Sequence, residues 1–280
     1  MRRIGISLLI LALILPAAKI SASPLETLDG SALKEKVRVP IIMYHALDKT
    51  PDNMWEITKD EFESDLQYLE KHGYTTVVMQ DLIDFVHYGK PMGEKPIVLS
   101  FDDGRSPTME VILPMLEQYN ARITMAIIGT ETDRYTEIDK TAKGQKHPHM
   151  TWDDVNNAAK SGRVEIQSHT YDLHRKDGAK RRRGENAESY RERLLADLRR
   201  FAEVLHKNTG LTPNSLAYPL GLISESSDGI IKEAGYMASL SCEEGVNVIV
   251  VGDFDCLYSL NRFLRPPNKT GEKFFGKIIG

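Results

Sequence analysis

Pro96-Ile97-Val98-Leu99-Ser100-Phe101-Asp102-Asp103-Gly104 is an apolar run that stops at two carboxylates and a glycine. A run of this length reads as a buried strand, and the Asp-Gly pair as the turn that leaves it. Val164-Glu165-Ile166-Gln167 ends in the same manner, in Ser168-His169-Thr170-Tyr171-Asp172-Leu173-His174. Tyr44-His45 follows an apolar run over 39–43, and another run, over 215–218, ends in Tyr218-Pro219-Leu220-Gly221. Helical patterns lie between such runs. Thr58 and Glu61 form a capping box opening a helix over 58–71, Thr151 and Asp154 open a second, and Tyr190, Leu194, Leu198, Phe201 and Leu205 share the face of a third. The alternation predicts an α/β domain of right-handed β-α-β units around a mostly parallel sheet or barrel. In such folds the residues just past the strand C-termini share one rim, so groups distant in sequence converge.

The chain has 280 residues, 41% hydrophobic and 27% charged, with a formal net charge of −4. That balance gives no basic field for nucleic acid. Arg2 and Arg3 precede an apolar stretch over 4–18, and Ser21-Ala22-Ser23 follows it. This is the pattern of a signal peptide, here 1–22, and it predicts a secreted or cell-surface protein; an uncleaved membrane anchor is the alternative. Residues 23–37 read as a polar linker, and 38–280 as one domain. Cys242 and Cys256 either pair across a hairpin or stay free thiols.

The chemistry sits in the strand endings. Carboxylate and imidazole are ligands for a hydrolytic divalent metal, and three protein ligands with an open position describe a catalytic zinc. A carboxylate beyond those three is what a general base requires. Each piece alone has a plain reading: Asp102-Asp103-Gly104 as an Asp-Gly turn, His169 and His174 as two surface histidines. Their spacing of five does not align them on a helix, so they belong to a loop.

Ser-Phe-Asp-Asp-Gly followed by Ser-His-Thr-Tyr-Asp-Leu-His resembles the polysaccharide deacetylase family, also called NodB-homology or carbohydrate esterase family 4, from about Val39 onward. The resemblance implies a single-domain distorted (β/α) barrel of about seven strands. It also implies metal-dependent removal of acetyl groups from sugars. By position, Asp102 matches the catalytic base, and Asp103, His169 and His174 match the metal ligands. Zn²⁺ is the implied ion, with Co²⁺ or Ni²⁺ as alternatives. Ala217-Tyr218-Pro219-Leu220-Gly221 resembles the third motif, which assigns the Tyr218 main-chain N–H to the oxyanion.

Two departures matter. The arginine that usually begins the third motif is absent, and no histidine follows His206 to serve as the late general acid. Met43-Tyr44-His45 and the His-to-His spacing of five are similar to a permuted subset that includes the biofilm poly-N-acetylglucosamine deacetylases. In that subset His45 is the candidate acid. Arg262 is the candidate for orienting Asp102, with Arg265 its competitor three residues on.

The expected function is N-deacetylation of an N-acetylglucosamine-containing polysaccharide by a monomer, with no nucleic acid. A non-catalytic glycan-binding relative and a metal hydrolase of another ester or amide are the alternatives. Trp152 reads as core, with a place in the sugar site as its second reading. Lys180-Arg181-Arg182-Arg183 reads as a solvated loop, or as a contact for anionic cell wall or lipid headgroups. His147-Pro148-His149 reads as solvent-facing.

Overall fold

A computed structural model describes residues 35–138 and 148–279. Parallel strands dominate it, because most of the apolar runs are followed by a helix that carries the chain back across the sheet. Before the first of these units, Lys36–Val39 (β1) leads into Ile41–Tyr44 (β2). Short strands Ala46–Leu47 (β3) and Glu56–Ile57 (β4) pair in parallel across an intervening loop. Lys59–Lys71 (α1) then starts on Thr58, whose side chain accepts from the Glu61 N–H while Glu61 reaches back to the Thr58 N–H. Thr75–Val77 (β5), Met79–Tyr88 (α2), Pro96–Phe101 (β6), Ser106–Gln118 (α3) and Ile123–Ile127 (β7) follow.

The second half continues through Gly129–Ile138 (α4), Trp152–Lys160 (α5) and Val164–Ser168 (β8). Ala187–Thr209 (α6) buries Tyr190, Leu194, Leu198, Phe201 and Leu205, the face expected from its periodicity. Ser215–Ala217 (β9), Ser227–Glu233 (α7), Ala238–Leu240 (β10), Asn247–Val250 (β11), Phe263–Leu264 (β12) and Gly271–Ile278 (α8) complete the order.

The main sheet runs β10-β9-β8-β7-β6-β2-β12, with β5 also on β6, and every one of its pairings is parallel. It curls until its ends nearly meet: Leu260, just before β12, bridges to Leu240 of β10. Seven strands along that path make the distorted barrel that the resemblance implies. Buried Ile, Leu, Val, Met and Phe from sheet and helices fill both sides of it. All strands pointing one way, their C-terminal ends form a single rim.

Two expectations change. The linker reading runs too far, since Lys36 and Val37 pair antiparallel with Val250 and Ile249 in a separate ribbon of β1 and β11. The apolar stretch over 246–251, which also reads as a strand in the alternating pattern, contains β11 and so is a strand, but not one of the barrel. Residues 1–22 and most of the linker lie outside the described residues. Among the described residues no helix is long and apolar enough to cross a membrane. Cys242 and Cys256 are free thiols.

Behind the rim, Arg265 and Asp65 form a fully buried ion pair. The guanidinium donates from Nε at 2.8 Å and from Nη2 at 3.0 Å to the two carboxylate oxygens, and the Tyr44 hydroxyl adds a third bond at 3.0 Å. The pair ties α1 to β2 and to the chain after β12. Replacing Asp65 by Ala strands a cation in the core, a change that costs about 3–5 kcal/mol. A thermal midpoint lowered by roughly 10 °C is expected; a shift within 2–3 °C, as for a surface pair, contradicts it.

Candidate active site

Three loops leaving the rim are held in backbone conformations that side chains other than glycine rarely adopt. Asp103 has φ 72°, Thr170 φ 71° and Leu220 φ 57°. Thr170 is β-branched, so the left-handed region is a real strain there, and such strain gathers where function over-determines the backbone. Gly104, at φ 73°, lies so close to Ile127 that an added Cβ would come within 2.8 Å of its side chain. The Asp-Asp-Gly turn therefore sits tightly over the end of β7.

Neighbouring segments fix each loop. His149 places Nδ1 2.8 Å from the Asp103 carbonyl, and Met150 donates its N–H to the Gly104 carbonyl. On α6, Asp197 accepts the N–H groups of Tyr171 and Asp172, both at 2.8 Å, which pins the chain between the two histidines. His169 is itself anchored, its Nδ1 2.8 Å from the Ala217 carbonyl. If Nδ1 carries the proton, Nε2 is left as the electron-pair donor.

His169 Nε2 and His174 Nε2 lie 3.6 Å and 3.3 Å from Asp103 Oδ1. The ligand atoms of the three residues all fall within 4.8 Å of one another. Asp103 Oδ1 is buried without a hydrogen-bond partner. Bonds of about 2.1 Å to a tetrahedral ion put ligand atoms about 3.4 Å apart, so these spacings and this orphaned oxygen fit a divalent metal.

Asp102 is left over, as the sequence reading requires. It is buried beside Arg262, whose Nη1 donates at 2.8 Å to Asp102 Oδ1 and at 3.0 Å to Ser100 Oγ. Arg262 Nε donates to the Ser241 carbonyl at 2.7 Å, which aims the guanidinium. Arg262 thus faces Asp102 while Arg265 faces Asp65, and the two arginines are not interchangeable.

Burial alone would push the Asp102 carboxyl up, but Arg262, His169 and His45 outweigh it and hold it below the ordinary value. Asp103 is held well below the usual range in the same way, against burial, by His174, His169 and His45. His45 and His169 are pushed down by burial, with the two carboxylates pulling against it. Burial also pushes His174 down, but there the Asp103 carboxylate wins and the value rises.

His45, Asp102, Asp103, His169 and His174 line one open cavity of about 630 Å³. Arg262 stands behind it, fully buried. Two other candidates are not in it. The Tyr218 N–H donates to the Leu240 carbonyl at 3.0 Å, and the Tyr218 hydroxyl donates to Asp228 at 3.1 Å. That N–H belongs to the sheet, so Tyr218 is not the oxyanion donor; Leu220, two residues on, is the residue of this turn that reaches the cavity. Trp152 is a core residue whose indole N–H donates to Asp133 at 2.8 Å, away from the cavity.

The sequence reading also missed Trp55 and Cys242, which line the cavity. Trp55 had no pattern to mark it. His149 was read as solvent-facing, but it is buried under the Asp103 turn; His147 lies outside the described residues.

The fold and the site together define a curled parallel α/β barrel whose rim carries a candidate Asp-His-His metal centre. The chain belongs to the polysaccharide deacetylase family, whose profile matches residues 89–239. It is 25% identical over 242 residues to YxkH of Bacillus subtilis, whose name places it in the same family; the match spans 86% of this chain and 76% of that one. It is also 25% identical over 264 residues to the poly-beta-1,6-N-acetyl-D-glucosamine N-deacetylase of Escherichia coli K12, spanning 86% of this chain but 38% of that protein. Among solved structures, a Streptococcus pyogenes deacetylase in complex with acetate superposes with a TM-score of 0.71 at 20% identity, covering 88% of this chain and 100% of that one. That last likeness speaks for the fold. The chain is accordingly a hydrolase of the deacetylase class.

Proposed function

We propose that this protein removes N-acetyl groups from an N-acetylglucosamine-containing polysaccharide, with poly-β-1,6-N-acetylglucosamine the first candidate, and releases acetate. The observation that carries the reading is a carboxylate left over: Asp103, His169 and His174 converge as ligands while Asp102, ionised and pinned by Arg262, stands free of that set. A glycan-binding protein has no use for a spare base. The E. coli relative named for poly-β-1,6-N-acetylglucosamine supports the substrate.

In this reading Asp103, His169 and His174 hold Zn²⁺, or Co²⁺ or Ni²⁺ in its place. When bound, the ion polarises the acetyl carbonyl and lowers the pKa of a water beside it toward about 7. Asp102 accepts the proton of the attacking water. Arg262 keeps Asp102 ionised and fixes which way its oxygens point. The Leu220 main-chain N–H takes the oxyanion role first given to Tyr218, a contribution of about 3 kcal/mol in comparable hydrolases. His45 gives a proton to the departing nitrogen, which leaves poorly as an anion; burial works against the protonated imidazole this needs, and the Asp102 and Asp103 carboxylates beside it work for it. Residues 1–22 direct export, and the domain that opens with β1 works as a monomer outside the cell or at its surface.

Acetate release tests this on a panel of poly-β-1,6-N-acetylglucosamine, β-1,4-linked chitin oligomers and peptidoglycan. Acetate from the β-1,6 polymer is expected to exceed the others. His45→Ala is expected to lose about 10²–10⁴ in rate. Full activity in that variant removes His45 as the acid. No acetate from any glycan, with binding intact, overturns the enzyme reading in favour of a glycan-binding protein.

A further inference from the structure

The large apolar side chains exposed among the described residues are Met54, Trp55, Tyr88, Leu220, Val248 and Phe254. Half of them sit together in sequence or space around one opening. Trp55, 44% exposed, and Leu220, 55% exposed, both line the active-site cavity, and Met54 adjoins Trp55. Apolar surface left uncovered at the mouth of a cavity that holds convergent charged groups marks a place where a ligand covers it.

Trp55 is also held in place, which a casual surface residue need not be. Its main-chain N–H donates to Asn53 Oδ1 at 2.8 Å, and its carbonyl accepts from the Ala46 N–H at 3.3 Å. The next residue, Glu56, enters β4 and pairs with Ala46 of β3, one residue after His45. The indole packs on the His45 ring with centroids 4.7 Å apart and planes at 55°. An aromatic plate thus lies against the candidate acid with part of its surface open to solvent. Asp52 and Asn53, beside it in the same wall, supply oxygens and an amide.

A hexosamine ring has an apolar C–H face and a polar edge. The first suits an aromatic plate, the second hydrogen-bonding neighbours. We propose that Trp55 is a specificity-determining residue of the active site: its exposed face stacks on a sugar ring of the polymer and fixes that ring against the wall that carries His45. The substrate class rests on the deacetylase reading above, while the stacking itself does not require turnover. Since the stacked ring is bound before and during reaction alike, removing the plate weakens binding more than chemistry.

The chain has only two tryptophans, Trp55 and Trp152. Trp152 is 5% exposed, so Trp55 is the side chain whose emission a glycan can change. The probe is a β-1,6-linked N-acetylglucosamine tetramer, titrated into Asp102→Asn protein to suppress turnover. A saturable emission change is expected, and none when Trp55→Phe is added to that background. In protein with Asp102 intact, Trp55→Ala is expected to raise KM for the tetramer at least tenfold with less than a threefold change in kcat, and Trp55→Phe to recover most of the loss.

An emission change in the tetramer titration with no acetate released by wild type would keep the stacking and defeat the deacetylase reading. No emission change at tetramer concentrations that saturate wild-type activity overturns the stacking. A fall in kcat with KM unchanged also overturns it, since Trp55 would then act only as a cover for His45. An equal emission change with cellotetraose overturns the specificity role.

Discussion

Asp102→Asn is expected to lower kcat by about 10²–10⁴ while the protein stays folded. The amide keeps the size of the carboxylate and an oxygen that can accept from Arg262, but it cannot take a proton from water. Arg262 loses its anionic partner yet keeps the Ser241 carbonyl and the Ser100 hydroxyl, so the guanidinium has somewhere to donate. Some loss of thermal stability accompanies the change, because a fully buried cation is less well compensated.

A second variant separates chemistry from structure. Arg262→Met removes the charge that holds Asp102 below the ordinary carboxylate value, and leaves burial to push it up. The sign follows directly. In its proposed role Asp102 is a base only when ionised, so the acid limb of the kcat/KM profile is expected to move to higher pH in Arg262→Met. Wild type keeps its base ionised further into acid. An Asp102→Asn protein with wild-type kcat, or an unmoved acid limb in Arg262→Met, removes these residues from their roles.

What the sequence makes legible is what its own neighbours enforce. The capping boxes at Thr58 and Thr151 involve residues three apart, and both are present as read. The parallel barrel follows from alternation, and the convergence of Asp103, His169 and His174 follows from the rule that strand ends share a rim. Pairings set by the whole fold are another matter. Lys36 meets Val250 in an antiparallel ribbon without any local sign of it. Tyr218 fails as an oxyanion donor for the same reason: whether the N–H after a strand is spent depends on which strand lies alongside, here Leu240 of β10. The choice between Arg262 and Arg265 needed the positions of two acids, 160 and 200 residues away in the chain. His149 shows the reverse error. Its polar surroundings in sequence suggest solvent, but Pro148 and Met150 bond to Ser106 and Gly104 and draw it under the Asp103 turn.

His174→Ala is expected to abolish turnover and to remove the protein's thermal response to divalent metal. His174 is the ligand to change, because its side chain is 28% exposed while that of His169 is 2% exposed and anchored to the Ala217 carbonyl. Truncating His174 therefore leaves little void in the core, and loss of activity does not reduce to loss of fold. In wild type, an ion that binds only the folded state at 1,000 times its Kd adds about 4 kcal/mol of stability. For a domain of this size that is a rise of roughly 10 °C in thermal midpoint over chelated protein. The rise should appear with Zn²⁺, Co²⁺ or Ni²⁺, reverse with chelator, and be absent or small in His174→Ala. Activity should follow the same pattern, lost on chelation and restored by the ion. The two readouts guard each other. A melting point indifferent to all three ions, in a protein whose acetate release survives chelation, would mean that Asp103, His169 and His174 converge without holding a metal. The spare carboxylate would then have to work without one.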